Sequence, residues 1–407
     1  MELMRKYKAR RDALRPKLVN CYEILGFISS GTYGRVYKAR SRDSTDQSEY
    51  AIKAFKVEKE GESGQITTGI SQSACREIAL CRELSHINIM ALREVLTENH
   101  AIYMVLEYAE HDLLQILQFH GHEERKPLPE LTVKSCLWQL LNGLSYLHAN
   151  WILHRDLKPA NILVTNKGVV KIGDLGLARV YRQPLLPLAD GDRVVVTVWY
   201  RAPELLLGAK HYTTTIDIWA VGCIFAELLT LRPIFKSEEV KMDGRKTPPF
   251  QKHQMSKIIE VLGTPTVDRW PAVADMPEYP NLASIREHDN ALRSYWKTCS
   301  SKSDHGYDIL RLMLEYDPER RISAEQALDH AYFHEEPRPA SNVFANQGFK
   351  YPTRKLTKEE RPGVKALPPL AAKRQDAGTT SVGGPSAGGA NPMAAASSAR
   401  KKPRIDG

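Results

Sequence analysis

Hydrophobic residues follow two different periods along the chain. Between residues 20 and 107, apolar and polar positions alternate in the runs YEILGFI, GRVYKAR, EYAIKAF and AIYMVLEY, and this alternation predicts β-strands. The segment SACREIALCREL interrupts these runs with a helical period. From about residue 112, longer segments such as TVKSCLWQLLNGLSYLHAN and AEQALDHAYF predict helices. A small sheet-rich lobe followed by a larger helical lobe is therefore expected.

A helical pattern is also present at the amino terminus. Leu3, Tyr7, Leu14 and Leu18 recur at spacings of four, seven and four residues, which predicts one stripe of a helix. The segment lacks the apolar stretch of a signal peptide. Its basic composition leaves three interpretations open, which are an Arg-rich transit peptide, a docking helix and a frayed, solvated helix.

The periodicity disappears toward the carboxyl terminus. After about residue 340 the chain becomes rich in Gly, Ala, Ser and Pro, as in DAGTTSVGGPSAGGANPMAAASSARKKPRIDG. Such a composition cannot bury a core, so this tail is expected to be largely disordered. It contains ARKKPR, a short basic cluster of the nuclear-import type that also occurs by chance in basic tails.

Charge is distributed unevenly over the 407 residues, whose formal net charge is +9. Residues 1–18 hold seven Lys or Arg against two acids, and residues 335–407 hold thirteen against six, so the residues between them carry −3. This distribution argues against a nucleic-acid-binding face on the folded part, and no direct nucleic-acid partner is expected.

Two further features limit the class of protein. The six cysteines contain no CxxC pair, which indicates reduced, intracellular usage rather than disulfides or a zinc site. No run of about 18 apolar residues predicts a membrane span. The most apolar window, IDIWAVGCIFAELL, carries Asp217 and Glu227 and is therefore interpreted as a buried helix.

Candidate chemistry begins in the sheet-rich part. In SSGTYGRV, Gly31 and Gly34 would let backbone N–H groups approach phosphates, although the same fragment is also typical of a simple hairpin turn. The following YAIK contains Lys53, which could pair with ATP phosphates or simply face water. Because phosphoryl transfer needs this lysine held by a carboxylate, we expect an ion pair between Lys53 and Glu77.

The next motifs complete a phosphoryl-transfer set. In HRDLKPAN, Asp156 would accept the proton of a substrate hydroxyl, Lys158 would neutralise the transferring group, and Asn161 would bind Mg²⁺. GDLG supplies Asp174 as an oxygen ligand for the same hard cation, and APE follows at residues 202–204. Each motif is weak alone, but their order and spacing together predict a protein kinase that uses ATP and Mg²⁺.

The chain resembles the protein kinases over residues 20–334. DLKPAN is similar to serine/threonine kinases, and GTYGRVYKAR and VVTVWYRAPELLLG resemble the cyclin-dependent branch. SACREIALCREL, YAEHDLL and AKHYTTTIDIWAVGCIFAELLT resemble the Mediator complex's cyclin-dependent kinase, the partner of cyclin C, in a fungal form.

This resemblance implies an α+β, bilobal protein-kinase fold. A basic, cyclin-contacting helix would occupy residues 1–19, the β-rich N-lobe residues 20–109, the helical C-lobe residues 110–334, and the tail residues 335–407. The residues that would surround the adenine and ribose are Ile28, Val36, Ala51 and Leu163, the gatekeeper Leu106, the hinge from Glu107 to Ala109, and Asp112. The apolar members of this set could equally be ordinary core. Thr197 would hydrogen-bond near Asp156 and position the loop.

The activation loop lacks the usual phosphorylation site, because no Ser, Thr or Tyr lies between Tyr181 and Thr197. The resemblance places Asp192 where related kinases carry a phosphothreonine gripped by three arginines, here Arg76, Arg155 and Arg179. We hypothesise that Asp192 replaces the phosphate; Asp190 is another candidate, and a merely solvated acid is the alternative.

The charge of Asp192 limits how far it could replace a phosphate. One carboxylate carries less charge than a phosphate, which brings about −1.5 to −2. It could not neutralise three guanidinium groups, so loop order should depend on a cyclin, and the chain alone should be inactive.

The resemblance also implies an enzyme of the nucleus. Its substrates would carry Ser or Thr followed by Pro in transcription proteins such as the RNA polymerase II C-terminal repeats and transcription factors, and its partners would include cyclin C and other subunits of the Mediator kinase module. A pseudokinase-like scaffold is disfavoured, because the residues for catalysis are all present: Lys53, Glu77, Asp156, Asn161 and Asp174. Another cyclin-dependent kinase would be expected to have a phosphorylatable loop residue, which this sequence lacks.

Overall fold

The alternating segments form a five-stranded antiparallel sheet in the computed structural model of the chain. Its strands lie in the order β1-β2-β3-β5-β4. Their bounds are β1 Tyr22–Ser30, β2 Gly34–Ser41, β3 Glu49–Phe55, β4 Leu92–Glu98 and β5 Ala101–Glu107. The structure describes residues 2–31, 34–55, 72–98, 101–181, 197–209, 211–240, 249–346, 348–354 and 356–357.

The two faces of this sheet bury different cores. Successive residues of a strand point to opposite faces, and Met104 and Val105 in β5 illustrate this alternation. Val105 packs with Leu18, Tyr22 and other residues in a small core. Met104 belongs to the large core that continues into the helical part of the chain. The sheet is therefore held on one side by its own small core and on the other by the rest of the protein.

Strand register then selects the residues that face the large core. Val36 of β2 lies opposite Lys53 of β3, and Lys53 lies opposite Met104 of β5. Ala51 and Leu106 form another cross-strand pair two residues away. Because directly paired residues share a face, the predicted adenine and phosphate contacts lie on the same side of the sheet.

Helices dominate after the sheet, as the sequence predicted. They have the bounds α1 Glu2–Leu14, α2 Leu18–Cys21, α3 Gln72–Glu83, α4 Leu113–Gln118, α5 Glu130–Ala149, α6 Pro203–Leu206, α7 Thr215–Thr230, α8 Lys252–Leu262, α9 Leu292–Trp296, α10 Asp304–Met313 and α11 Ala324–Leu328. Short strands form two small sheets, namely β6 His111–Asp112 with β8 Ile162–Val164 and β9 Val170–Ile172, and β7 Ile152–Leu153 with β10 Arg179–Val180.

Helix α7 lies at the centre of the helical part. Every residue from Ile216 to Leu229 is buried, which confirms the interpretation of IDIWAVGCIFAELL as a buried helix. Within the described residues, no helix has both the length and the apolar character needed to cross a membrane.

The predicted amino-terminal stripe is divided between two helices. Helix α1 ends at Leu14 and α2 begins at Leu18, and Pro16 lies between them. Proline fixes its own backbone and disfavours a helical conformation in the residue before it, which explains the break. Leu3 and Tyr7 are exposed, whereas Leu18 is buried in the small core, so the four residues do not form one continuous stripe.

The first residues of the tail, which the sequence predicted to be disordered, pack against the large core. Val343 is fully buried and Tyr351 is also buried, both within the large core. The expectation of disorder therefore does not hold for residues 335–346 and 348–354, because their apolar side chains have a surface to pack against. Residues 358–407 lie outside the described part of the chain.

Candidate active site

A cleft of about 1140 Å³ opens between the sheet and the helical part. Its lining contains all of the predicted catalytic, nucleotide and metal residues, which are Ile28, Gly31, Gly34, Val36, Ala51, Lys53, Glu77, Leu106, Glu107, Ala109, Asp112, Asp156, Lys158, Asn161, Leu163, Asp174 and Thr197. These residues come from distant parts of the sequence, and the fold brings them to one site. Pockets of about 300–1,000 Å³ already hold drug-sized ligands, so the cleft has room for a nucleotide.

The predicted ion pair between Lys53 and Glu77 is present. Lys53 Nζ lies 2.7 Å from both carboxylate oxygens of Glu77 and 3.0 Å from Oδ1 of Asp174. Burial disfavours the ammonium form, but the two carboxylates outweigh it and raise the pKa of Lys53. Burial likewise opposes ionisation of Asp174, yet Lys53 keeps the pKa of that carboxyl below its ordinary value. The cleft thus holds one buried cation between two carboxylates.

The residues of HRDLKPAN converge on Asp156. Lys158 Nζ donates to Asp156 Oδ2 at 2.6 Å, and Asn161 Nδ2 donates to the same oxygen at 3.0 Å and to the Asp156 carbonyl at 2.8 Å. Because the amide nitrogen of Asn161 faces Asp156, its amide oxygen is the atom that could face a cation. With the Asp174 carboxylate, this gives the oxygen ligands that Mg²⁺ prefers.

The backbone of this site adopts uncommon conformations at two non-glycine residues. Arg155 has φ of 67° and Asp174 has φ of 56°, both in the left-handed region. Such conformations persist where the surrounding contacts fix them, and they concentrate at active sites. The ring of His154 links the two segments, because its Nε2 lies 2.9 Å from the Gly173 carbonyl oxygen.

Asp217 is a positioning residue that the sequence analysis did not identify as part of the site. Its Oδ1 accepts a hydrogen bond from the backbone N–H of Arg155 at 2.9 Å, and its Oδ2 accepts one from His154 at 2.9 Å. His148 Nε2 lies 3.1 Å from Oδ2. Burial opposes ionisation of Asp217, but its hydrogen bond to His148 and these other contacts lower its pKa. A charged residue in an otherwise apolar helix was the signal that could have revealed this role.

The two predicted loop glycines serve different purposes. A Cβ at Gly34 would collide with the Ala54 carbonyl oxygen, so this glycine is required by strand packing. Among the described residues other than its chain neighbours, no atom lies within 4 Å of a Cβ built at Gly31, whose N–H donates to the Gly34 carbonyl at 2.9 Å. The close packing at Gly34 supports the hairpin interpretation.

The hinge and ribose positions carry side-chain contacts that the sequence did not predict. Glu107 Oε1 lies 2.7 Å from Lys171 Nζ, so its carboxylate is engaged in an ion pair at the end of β5. Asp112 Oδ1 caps α4 by accepting the Gln115 N–H at 2.8 Å. Its Oδ2 lies 3.3 Å from Nη2 of Arg354, in the predicted tail.

The three predicted regulatory arginines lie near one turn after Asp174. Arg76 Nη1 donates to the Gly176 carbonyl at 3.5 Å, and Arg155 Nε donates to the Leu177 carbonyl at 2.7 Å. Arg179 follows two residues later, in β10. Asp190 and Asp192 lie outside the described residues, so their relation to these arginines stays a prediction.

A second buried ion pair joins Arg321 to Glu204. Arg321 Nη1 and Nη2 donate to the two carboxylate oxygens of Glu204 at 2.7 and 3.0 Å, and both side chains are buried. Arg321 Nη1 also donates to the Thr215 carbonyl at 2.9 Å. The pair therefore joins the APE segment to the start of α7 and has a structural role.

Comparisons with known proteins agree with this geometry. Residues 22–333 match the protein kinase domain family. The serine/threonine-protein kinase SSN3 of Yarrowia lipolytica is 55% identical over 372 residues, which are 91% of this chain and 91% of that protein. SSN3 of Coccidioides immitis is 54% identical over 368 residues, covering 86% of this chain and 78% of that protein.

A solved structure is also similar. The crystal structure of the yeast RNA Pol II CTD kinase CTDK-1 complex contains a chain that is 31% identical, with a TM-score of 0.68. The similarity covers 81% of this chain and 98% of that one. The α+β kinase fold and the family recognised from the sequence are thereby confirmed. The chain belongs to the protein kinase family, and within it to the serine/threonine-protein kinases of the SSN3 group.

Proposed function

We propose that this serine/threonine kinase transfers the γ-phosphoryl group of ATP to Ser or Thr followed by Pro in transcription proteins, including the C-terminal repeats of RNA polymerase II. We further propose that it acts in the nucleus with cyclin C, as part of the Mediator kinase module. The similarity to the CTDK-1 complex supports a polymerase-tail substrate. The arrangement of Lys158 and Asn161 around Asp156 is the observation that carries the catalytic part of the proposal.

The charged residues of the cleft have proposed tasks in the transfer. Asp156 accepts the hydrogen bond of the substrate hydroxyl and takes its proton as that oxygen bonds to the γ-phosphorus and the bond to ADP breaks. Lys158 is placed to neutralise the charge of the transferring group, because its ammonium lies beside Asp156. Lys53, fixed by Glu77, would hold the phosphates of ATP.

The metal site fits the same scheme. Asn161 and Asp174 would hold Mg²⁺, which supplies charge neutralisation of the phosphates when bound. Asp174 is kept ionised by Lys53, and the Asn161 amide is oriented by Asp156. These two contacts, both made within this chain, keep Asp174 ionised and orient Asn161 for metal binding.

The proposal is tested by phosphoryl transfer from labelled ATP to a polymerase-tail peptide, with and without cyclin C. We expect turnover with cyclin and at least a hundredfold loss in Asp156→Asn, because general base catalysis contributes about 10²–10⁴-fold. A peptide with Ala in place of each Pro tests the substrate motif. Absence of transfer from the wild-type chain, both alone and with cyclin C, would overturn the proposal and favour a scaffold function.

A further inference from the structure

Arg155 immediately precedes Asp156, the proposed catalytic base, and it is completely buried. Its φ of 67° lies in the left-handed region, which residues other than glycine adopt only at a cost. Such a conformation persists where the surrounding contacts fix it. The position of the Asp156 carboxylate therefore depends on the contacts that hold Arg155.

Hydrogen bonds hold Arg155 at both its backbone and its side chain. Its backbone N–H donates to Asp217 Oδ1 at 2.9 Å, which fixes the main chain from helix α7. Its Nε donates to the Leu177 carbonyl at 2.7 Å, and its Nη1 donates to the Tyr212 hydroxyl at 2.9 Å. The guanidinium therefore connects the turn that follows Asp174 to the segment that precedes α7.

Tyr212 gives this guanidinium a fixed support. Only 5% of Tyr212 is exposed, and the residue belongs to the large core. It lies five residues before Asp217, and helix α7 is buried at every residue from Ile216 to Leu229. One short stretch of chain thus holds Arg155 twice, at its backbone through Asp217 and at its side chain through Tyr212.

The chemistry of the two side-chain acceptors determines what they do to Arg155. A carbonyl and a tyrosine hydroxyl are uncharged, so they orient the guanidinium without neutralising its charge. A hydrogen bond from a cation to such an acceptor is stronger than one between two neutral groups, and a buried donor that loses its acceptor is costly. Loss of the Tyr212 hydroxyl should therefore displace the guanidinium, and with it the main chain of Arg155.

We propose that Tyr212 is a positioning residue for phosphoryl transfer, which acts through Arg155 on the carboxylate of Asp156. This inference rests on the proposed function, in which Asp156 takes the proton of the substrate hydroxyl. The Tyr212 hydroxyl keeps Arg155 in its left-handed conformation and thereby keeps Asp156 in place. Through Leu177, the same guanidinium also fixes the turn after Asp174, a proposed metal ligand.

This role predicts a particular kinetic effect. Tyr212 itself lies outside the lining of the cleft, so its hydroxyl contributes no direct contact to ATP or to the substrate. A displaced Asp156 would slow the proton transfer, because a general base must lie within hydrogen-bond reach of the proton that it takes. Loss of the hydroxyl should therefore lower kcat and leave both KM values nearly unchanged.

The test compares wild-type kinase and Tyr212→Phe in complex with cyclin C, using ATP, Mg²⁺ and the polymerase-tail peptide. Phe keeps the buried ring and removes only the hydroxyl. We expect kcat to decrease about tenfold, equivalent to about 1.4 kcal/mol, with each KM within about twofold of the wild-type value. In an Arg155→Met background, Tyr212→Phe should change the residual kcat less than about twofold, because the residue through which it acts is altered.

Tyr316→Phe is the matched control. Tyr316 is completely buried, lies outside the lining of the cleft, and donates its hydroxyl to the Gly263 carbonyl at 2.8 Å. The substitution removes the same group from an equally buried ring. It should lower the thermal midpoint while kcat stays at the wild-type value.

Three results would overturn the inference: an unchanged kcat in Tyr212→Phe, equal decreases of kcat in Tyr212→Phe and Tyr316→Phe, or a full tenfold effect of Tyr212→Phe in the Arg155→Met background. The second result would show a general loss of stability, and the third an effect that does not pass through Arg155. Absence of phosphoryl transfer by the wild-type complex would instead overturn the proposed function, and this inference with it.

Discussion

Lys53 Nζ lies 2.7 Å from both carboxylate oxygens of Glu77, which belongs to helix α3. The pair joins β3, the central strand of the sheet, to helix α3, and it forms from residues of this chain alone. If kinase activity depends on a cyclin, the cyclin would therefore act on another part of the site. The activation loop is the expected part, because the single carboxylate of Asp192 could not neutralise the three predicted regulatory arginines.

The first prediction concerns this ion pair. Glu77→Gln should lower kcat/KM at least about a hundredfold, or about 2.7 kcal/mol, because Lys53 loses the carboxylate that orients it toward phosphate. Steady-state kinetics with ATP and a Ser-Pro peptide would measure the change. Glu260→Gln, which removes the partner of Lys257 in an exposed pair, is the control and should leave kcat/KM unchanged. Equal losses in both variants would show that the effect is not specific to the cleft.

The second prediction concerns the anchoring by Asp217 of the segment HRDLKPAN, which contains Asp156. Asp217→Ala leaves the backbone N–H groups of His154 and Arg155 without their acceptor in a buried site. Each such group costs about 1–3 kcal/mol, so the loss of both acceptors should lower the free energy of unfolding by about 2–6 kcal/mol. Urea unfolding measures this loss, and Asp304→Ala, in an exposed pair with Arg293, should change it by less than about 0.5 kcal/mol. A loss below about 1 kcal/mol for Asp217→Ala would contradict the anchoring role.

The third prediction tests the hypothesis that Asp192 replaces an activation-loop phosphate. Asp192→Ala should lower turnover of the cyclin complex, because one bidentate arginine–carboxylate contact contributes about 1.5–3 kcal/mol. Asp190→Ala is the neighbouring control and should have a smaller effect. Unchanged turnover in Asp192→Ala with reduced turnover in Asp190→Ala would transfer the role to Asp190. Unchanged turnover in both variants would indicate ordinary solvated acids.

The fourth prediction concerns pH and a buried carboxyl in helix α7. Burial raises the pKa of Glu227 to about 7, against the opposing effect of the Tyr200 hydroxyl, which donates to Glu227 Oε2 at 2.7 Å. The folded state thus binds a proton more tightly than the unfolded state. The associated stability is complete below about pH 4.5 and is lost as pH rises toward about 7.

A neutral substitution at this position should remove the pH dependence. Glu227→Gln keeps an acceptor for Tyr200 but cannot ionise. We expect it to be more stable than the wild type at pH 8, by up to about 3 kcal/mol, and to lose this advantage at pH 5. Urea unfolding at both pH values measures the difference. A stability difference that is the same at pH 5 and pH 8 would contradict the proposed titration of Glu227.

Motif spacing was sufficient to predict the cleft residues. The chemistry proposed for Lys53, Asp156, Asn161 and Asp174 requires particular side chains, so their identity and order are visible in the sequence. Strand alternation similarly predicted the sheet, because a strand that separates two environments must alternate. The buried helix α7 was predicted from its apolar composition. The kinase family and its α+β fold follow from these local signals.

Residues that act through distant contacts were not predictable in the same way. Asp217 lies in an apolar helix, and only the packing of α7 beside the segment HRDLKPAN shows that it accepts hydrogen bonds from two backbone N–H groups. The apolar stripe at the amino terminus suggested one helix, but Pro16 and the burial of Leu18 in the sheet core divided it into two.

The sequence by itself determined the proposed catalytic set, the order of the two structural parts and the kinase family, because these depend on residue type and local period. Only the tertiary structure decided that the tail returns to the cleft and places Arg354 against Asp112. These two residues are far apart in the sequence, and their contact depends on the packing of Tyr351 and the backbone pairing of Thr357 with Phe27. Backbone pairing requires no particular side chain, so no local pattern could have revealed it.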